Sequence, residues 1–254
     1  MLLEGKKGLV LNVVNKNSIG WAIAEAAAIH GAKVGVGAQN ERMAEGVNKL
    51  IDGNDAYSMF QVDFSDDAQL ERLAADVKEK FGTIDFVVHS AAFAPREDLQ
   101  GRFIDTSRSG FSIAHDISAY SFVALCRVLE PLMNNDASVM ALSYLGSQRA
   151  AKNYNVMGAA KASLEACVRY VAADLGDRNI RVNTLSPGPI NTVAARGVKD
   201  LGKLIDHVFE MGLMERPYGQ AEVGGSAVYL MSDLSKGVTG QIIYIDNGYN
   251  VAAL

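Results

Sequence analysis

Short runs of β-branched and aliphatic residues alternate along this chain with longer stretches in which apolar residues recur at helical spacing. The short runs predict strands over 8–14, 33–38, 56–62, 85–90, 138–143, 181–186 and 241–245. The periodic stretches predict helices over 18–30, 41–50, 66–81, 108–134, 154–175, 201–211 and 222–232. Some ends are legible. Ser18 is placed to cap the first helix and Gly31 to stop it, while Ser65 is placed to cap the third, with Asp66 and Asp67 in its first turn. Strands alternating with helices imply a parallel sheet. Seven strands rather than eight, and a strand–loop–helix opening suited to a phosphate, favour a doubly wound, Rossmann-like α/β sheet over an eight-fold barrel. Helices are then expected on both faces. No repeat, low-complexity tract or linker appears, so a single domain spanning 1–254 is expected. In such a sheet ligands sit beyond the carboxyl ends of the strands, where functional residues should be sought.

Composition narrows the class. Hydrophobic residues make up 49% and charged residues 21%, as in globular proteins, which excludes disordered and collagen-like classes. A formal net charge of −5 argues against a nucleic-acid surface, which needs a basic face. Cys126 and Cys167 have no metal-ligand or redox spacing and read as small hydrophobes in a reducing compartment. The histidines His30, His89, His115 and His207 form no metal-binding pair, so no metal is expected. Lys6-Lys7 precede an apolar run that stops at Asn15 without a small-residue cleavage site, so it reads as a first strand rather than a signal peptide. No stretch has the length and apolarity of a membrane span, and a cytoplasmic location is expected.

The first strand runs into Asn12-Val-Val-Asn-Lys-Asn-Ser18-Ile19-Gly20 as a helix begins. A turn of this kind aims backbone N–H groups and the positive end of a helix at a pyrophosphate, although an ordinary βα turn would look similar. Gln39 closes the second strand, where dinucleotide folds contact the adenosine ribose. Its amide can bond ribose hydroxyls but offers no charge to a 2′-phosphate, which favours NADH; Arg42, a turn later, keeps NADPH open as the lesser alternative. Asp63 and Phe64 follow the third strand, and Ser90, Ala91 and Ala92 follow the fourth. Those ends line the adenine and nicotinamide-ribose pockets of a doubly wound sheet. A solvated helix cap is the alternative for Asp63.

Tyr154 and Lys161 are seven residues apart, nearly two helical turns, which places both on one face at ~10.5 Å along the axis. An ammonium near a phenol favours the phenolate and can also bond a ribose. A solvated polar face is the alternative for such a pair.

The surrounding residues carry a resemblance. The segments Ser143-Tyr144-Leu145-Gly146 and Asn153-Tyr154-Asn155-Val156-Met157-Gly158, running on to Lys161-Ala162-Ser163-Leu164-Glu165-Ala166, resemble the enoyl-acyl-carrier-protein reductases of the short-chain dehydrogenase/reductase superfamily. Ketone and alcohol members of that superfamily carry Tyr-x-x-x-Lys, with a serine about thirteen residues before the tyrosine. Here Met157 holds that tyrosine position and Tyr144 holds that serine position. The likeness extends to Asn17-Ser18-Ile19, Gln39-Asn40, His89-Ser90 with Phe93-Ala94-Pro95, His115-Asp116-Ile117-Ser118, Pro187-Gly188-Pro189-Ile190 with Thr192, and Asp246-Asn247-Gly248. Three positions depart from it: Asn12 and Ala92 replace glycines and Gly20 replaces a preferred alanine. Asparagine is the non-glycine residue most tolerant of left-handed backbone.

The resemblance implies reduction of a trans-2-enoyl thioester, linked to acyl carrier protein, in fatty acid elongation, by a homotetramer using NADH. It assigns cofactor contacts to Asn12, Ser18, Ile19, Gln39, Asp63, Phe64, Ser90, Ala91, Ala92, Ser143, Lys161, Gly188, Pro189, Ile190 and Thr192. Enoyl reduction sends hydride to Cβ while charge collects on the thioester oxygen, so the stabilising phenol must stand farther from the nicotinamide than in a ketoreductase. On this reading Lys161 anchors the nicotinamide ribose, Tyr154 bonds the developing enolate oxygen, and Tyr144 shapes the pocket. Residues at about 191–214 are expected to cover the substrate. The apolar face of Val193, Ala194, Ala195, Leu201, Leu204, Ile205, Val208, Phe209 and Met211 would meet the acyl chain, with Phe93, Leu201 and Leu204 as its contacts, and Arg196, Lys199 and Lys203 would meet an acidic carrier or a phosphopantetheine phosphate. A plain amphipathic surface helix would look similar. Rival functions are a carbonyl reductase, which Met157 opposes, an enoyl reductase for a non-fatty substrate, and a silent dinucleotide sensor.

Overall fold

The computed structural model describes residues 1–192, 195 and 199–252. Val193, Ala194 and Arg196 lie outside the described residues. Seven strands form one parallel sheet in the order β3-β2-β1-β4-β5-β6-β7. They are β1 (Lys7–Leu11), β2 (Lys33–Ala38), β3 (Tyr57–Gln61), β4 (Ile84–His89), β5 (Met133–Leu142), β6 (Arg181–Pro187) and β7 (Ile242–Ile245). The strand order reverses between β1 and β4, and that crevice is where doubly wound sheets bind ligands.

Helices cover both faces, as the strand–helix alternation predicts. On one side α1 (Ile19–Ile29), α2 (Glu41–Ile51) and α9 (Gln220–Met231) pack Ile23, Val47 and Val223 against Val10, Val34 and Phe86 of the sheet. On the other, α3 (Asp67–Phe81), α6 (Ser121–Leu129) and α7 (Asn155–Asp174) bury Leu73, Leu125 and Leu164 against Leu9, Val87 and Val139. The remaining helices are α4 (Arg96–Leu99), α5 (Arg108–His115) and α8 (Leu201–Met211). No helix among the described residues is long and apolar enough to cross a membrane.

The stretch 108–134 is not one helix. It divides into α5, a π turn at Asp116–Tyr120, α6 and a 3₁₀ turn at Glu130–Leu132. Pro131 lacks the N–H that would continue the α-helical ladder, and α6 ends as the chain tightens into the 3₁₀ turn. Asn134 already belongs to β5, whose pairing with β4 is irregular between Ile84 and Phe86. Polar residues Asn134, Asn135 and Asp136 therefore disguise a strand start as a helix tail, with Asp136 at φ 63°. Two predicted caps also differ. Ser18 occupies the N-cap position, yet its Oγ accepts from the N–H groups of Val14 and Asn15 in the preceding turn. Asp66, not Ser65, caps α3 by accepting from Ala68 N–H; the Ser65 hydroxyl donates to Asp63.

Candidate active site

β1 stops at Leu11 because Asn12 turns into the left-handed region at φ 65°. Its side chain swings toward β4, where Nδ2 donates to the Ser90 carbonyl at 3.2 Å. The Ser90 hydroxyl returns to the Leu11 carbonyl. Asn12 thus supplies the backbone conformation of a glycine while its amide is tied to the neighbouring strand. Two of the N–H groups expected to face a pyrophosphate, those of Val14 and Asn15, are taken by Ser18. The anion-facing donors that remain are those of the first turn of α1, which contains no acidic residue.

At the ends of β2 and β3, Gln39 Nε2 donates to Asp63 Oδ2 at 3.2 Å, so the two residues form one unit. Burial would raise the Asp63 carboxyl, but hydrogen bonds from Ser65 and Gln39 outweigh it and hold the group below its usual range. Phe64 is committed to the core, edge-on to His89 at 5.0 Å, so only its backbone is free to meet a cofactor. His89 lies fully buried, with Nε2 at 2.8 Å from Ser121 Oγ. The Ser121 hydroxyl donates to Ile117 O at 2.7 Å, which makes His89 Nε2 the donor to Ser121. Burial, with Lys161 nearby, pulls this histidine down to about 3. The loop after β4 is pinned to the π turn, since Phe93 N–H donates to Ser118 Oγ at 3.0 Å. The wide turn brings Ser118 to that loop.

A cavity of about 460 Å³ opens beyond the carboxyl ends of β4, β5 and β6. Ile19, Ala92, Phe93, Ser143, Tyr144 and Tyr154 line it. So do Gly188, Pro189, Ile190 and Thr192 from the segment after β6, and Leu201 and Leu204 from α8. Asn12, Ser18, Gln39, Asp63, Phe64, Ser90, Ala91 and Lys161 do not; all except Lys161 belong to the ends of β1 to β4 beside it. Pro187 and Ala195 also line it, and Ala94, Arg96, Leu99 and Met157 complete the wall, though sequence reasoning gave these last four no binding role. Met157 carried the readable signal, because its position in a ketoreductase holds the tyrosine and should face the same space. Tyr218 carried none. Its hydroxyl donates to Pro189 O at 3.4 Å and fills the space that a side chain at residue 188 would need.

A Cβ on Gly188 would lie 2.0 Å from Tyr218 Oη and 2.8 Å from its Cζ. Gly188→Ala is therefore expected to cost about 1–3 kcal/mol, measured as a lowered urea midpoint. An unchanged midpoint would show that Tyr218 moves freely.

Tyr154 stands at the N-cap of α7, not inside it, and Asn155 follows at φ 35°. The axial separation expected for two residues of one regular helix therefore does not apply. The Tyr154 ring packs edge-on to Tyr144, centroids 4.8 Å apart. Gly146 lets the intervening loop close on both rings, since a Cβ there would meet Tyr154 Cδ1 at 2.5 Å and Tyr144 Cδ1 at 3.0 Å. Burial pushes the Tyr154 phenol well above its ordinary value, reinforced by Tyr144 and Glu165. Tyr144 is pushed up to about 12 by burial, with Tyr249 adding to it. An ammonium nearby favours ionisation of a phenol, but desolvation dominates here, and Tyr154 stays protonated as a hydrogen-bond donor.

Lys161 is 4% exposed, and its Nζ donates to the Leu142 carbonyl at 2.6 Å. Burial pulls it down to about 8, against the pull of Glu165 in the other direction. An ammonium has three donors, so two remain beyond the Leu142 bond.

The family model described as Enoyl-(Acyl carrier protein) reductase matches residues 13–250. The chain belongs to that family. It is 42% identical over 250 residues to the NADH enoyl-acyl-carrier-protein reductase of Rickettsia typhi, covering 98% of this chain and 96% of that one. Against the Bacillus cereus enzyme of the same name it is 43% identical over 252 residues, covering 98% of each. A Bacillus cereus enoyl-acyl carrier protein reductase solved with NADP+ and indole naphthyridinone superposes with a TM-score of 0.96, at 43% identity, covering 100% of this chain and 99% of that one. The Aquifex aeolicus enzyme superposes with a TM-score of 0.95 at 37% identity, covering 100% of both chains. Within the family fold, the donor set here suits a dinucleotide. The polar groups it offers are an acid-free helix start after β1, the Gln39–Asp63 pair at the ends of β2 and β3, and the buried ammonium of Lys161.

Proposed function

We propose that this chain is an NADH-dependent enoyl-acyl-carrier-protein reductase that reduces the carbon–carbon double bond of trans-2-enoyl thioesters in fatty acid elongation. One observation carries the reading: the protonated phenol of Tyr154 and the thioether of Met157 line the same apolar cavity. Met157 holds the position from which a ketoreductase tyrosine would act, so the proton donor stands elsewhere along the wall. That displacement suits an acceptor oxygen at the far end of a conjugated thioester.

The dinucleotide, when bound, supplies the hydride. The start of α1 holds its diphosphate, shaped by Asn12, Ser18 and Ile19 and by the β4 turn of Ser90, Ala91 and Ala92. Gln39 and Asp63 bond the adenosine ribose, with the Phe64 backbone beside them. Because Asp63 is held ionised against Gln39, a 2′-phosphate meets negative charge there, which favours NADH over NADPH. Lys161 would use its free donors on the nicotinamide ribose, and Ser143, Gly188, Pro189, Ile190 and Thr192 would surround the nicotinamide end. Reduction at Cβ of an enoyl thioester would place the π electrons of the double bond on the thioester oxygen. Tyr154 donates a hydrogen bond to that oxygen until Cα takes a proton from solvent. Tyr144 holds the Tyr154 ring edge-on. Phe93, Leu201 and Leu204 receive the acyl chain, with Thr192, Ala195 and α8 walling the same cavity. A cytoplasmic location, the homotetramer that the resemblance implies, and a carrier-linked substrate complete the proposal.

The direct test is NADH consumption with a crotonyl or octenoyl thioester beside a β-ketoacyl thioester. Turnover of the enoyl substrates alone is expected; turnover of the ketone alone would overturn the assignment. The carrier reading has its own test. Lys199 and Lys203 are exposed near the cavity mouth, Lys203 at 3.5 Å from Asp200. Reversing both charges is expected to raise KM several-fold for carrier-linked substrate, more at low ionic strength, and less for the coenzyme A thioester. Equal effects would count against carrier docking here.

A further inference from the structure

Glu165 lies one turn beyond Lys161 on α7 and has no place in the chemistry above. It is 5% exposed, and its Oε1 accepts from Ser143 Oγ and Ser147 Oγ, each at 2.6 Å. Those serines bracket the segment that carries Tyr144 and, through Gly146, closes on the Tyr154 ring. The same carboxylate favours the charged form of Lys161 and opposes ionisation of Tyr154. A neutral amide would satisfy both hydroxyls without burying a charge. The charge itself therefore needs a reason, and Lys161 supplies one.

We infer, resting on the proposed reductase reading, that Glu165 is a positioning residue: it clamps the tyrosine-bearing loop to α7 and is the counter-ion that keeps the ribose-binding ammonium of Lys161 charged. The neighbouring groups leave this task to Glu165. From β4, Lys161 faces His89, which burial keeps neutral. Tyr144 and Tyr154, at the loop and the helix start, stay protonated. On β7, burial raises the Tyr244 phenol, with Glu165 and Asp246 adding to it and Arg149 opposing. Among the described residues Glu165 is the acid that acts on Lys161.

Glu165→Gln keeps an oxygen for both hydroxyls and removes the charge. NADH affinity, read by nucleotide fluorescence between pH 6 and 9.5, should fall in the wild type as Lys161 deprotonates near its value of about 8. In Glu165→Gln the same fall should come lower by about 1 pH unit or more. Ser147→Ala weakens the clamp but keeps the charge, so it should lower kcat without moving that midpoint. Superimposable pH curves for wild type and Glu165→Gln would overturn the inference, as would an equal shift in Ser147→Ala. Should Glu165→Gln fail to fold, Glu165→Asp keeps the charge on a shorter stem. It should hold the midpoint and lose turnover; a lower midpoint, or no loss of turnover, would overturn the inference. The NADH titration needs no thioester, so a protein that reduces no enoyl substrate would sink the functional reading while this test still decides on Glu165.

Discussion

Tyr154→Phe is expected to lower kcat on a trans-2-enoyl thioester about 10- to 100-fold, with KM for NADH unchanged. The substitution removes one hydroxyl and keeps the ring, so the packing on Tyr144 and under Gly146 survives. What disappears is a neutral donor aimed into the cavity. A hydrogen bond to a charged acceptor is worth about 1.5–3 kcal/mol, which sets the range of the loss. The interaction strengthens only as charge reaches the thioester oxygen, so the effect belongs in kcat rather than in cofactor binding. Because burial keeps the phenol protonated well above neutral pH, Tyr154 should contribute no limb to the rate profile between pH 6 and 9. Full turnover in the variant, or such a limb vanishing with the hydroxyl, would contradict the role.

Lys161→Met is expected to weaken NADH binding by about tenfold or more, since charged donors to the ribose are lost. The wild type should show the same chemistry through pH. Burial lowers the ammonium from 10.5 to about 8, so affinity for NADH should decline as pH rises through 8. Stability of the free protein should move the other way. Between about pH 8 and 10.5 the unfolded chain holds a proton at this lysine that the folded chain has released. This group therefore contributes increasing stability across that window and no pH dependence below it. Urea midpoints of the wild type and Lys161→Met, measured from pH 7 to 10, check the sign; a wild-type curve that falls relative to the variant would contradict it.

Much of this architecture is local enough to read from the chain. β2 at Lys33–Ala38 and α8 at Leu201–Met211 fall where their patterns place them, because periodicity and nearby glycines decide both. The stretch 108–134 misleads because a π turn, a proline and a strand start follow one another without a break in apolar content. Ser18 was legible as a helix boundary, but not as the residue that ties the turn before it, since that depends on where Val14 and Asn15 point. The spacing of Tyr154 and Lys161 was readable, while their titration was not. Spacing shows the two groups near each other, but only the fold shows that burial dominates and keeps the phenol protonated. Arg96, Leu99 and Tyr218 reach the site through tertiary packing, and no motif marks them. Glu165 sat in plain view within the segment that carries the family resemblance, but its two serine partners come from a loop that only folding brings to α7.

The central claim is that hydride arrives at a carbon two bonds from the thioester carbonyl while Tyr154 holds the oxygen. Reduction of a crotonyl thioester with NADH deuterated at the transferred C4 position, followed by analysis of the product, tests this directly. The account predicts a saturated thioester with deuterium on Cβ and a solvent hydrogen on Cα. Deuterium on Cα, or no saturated product under conditions where NADH binds, would contradict it.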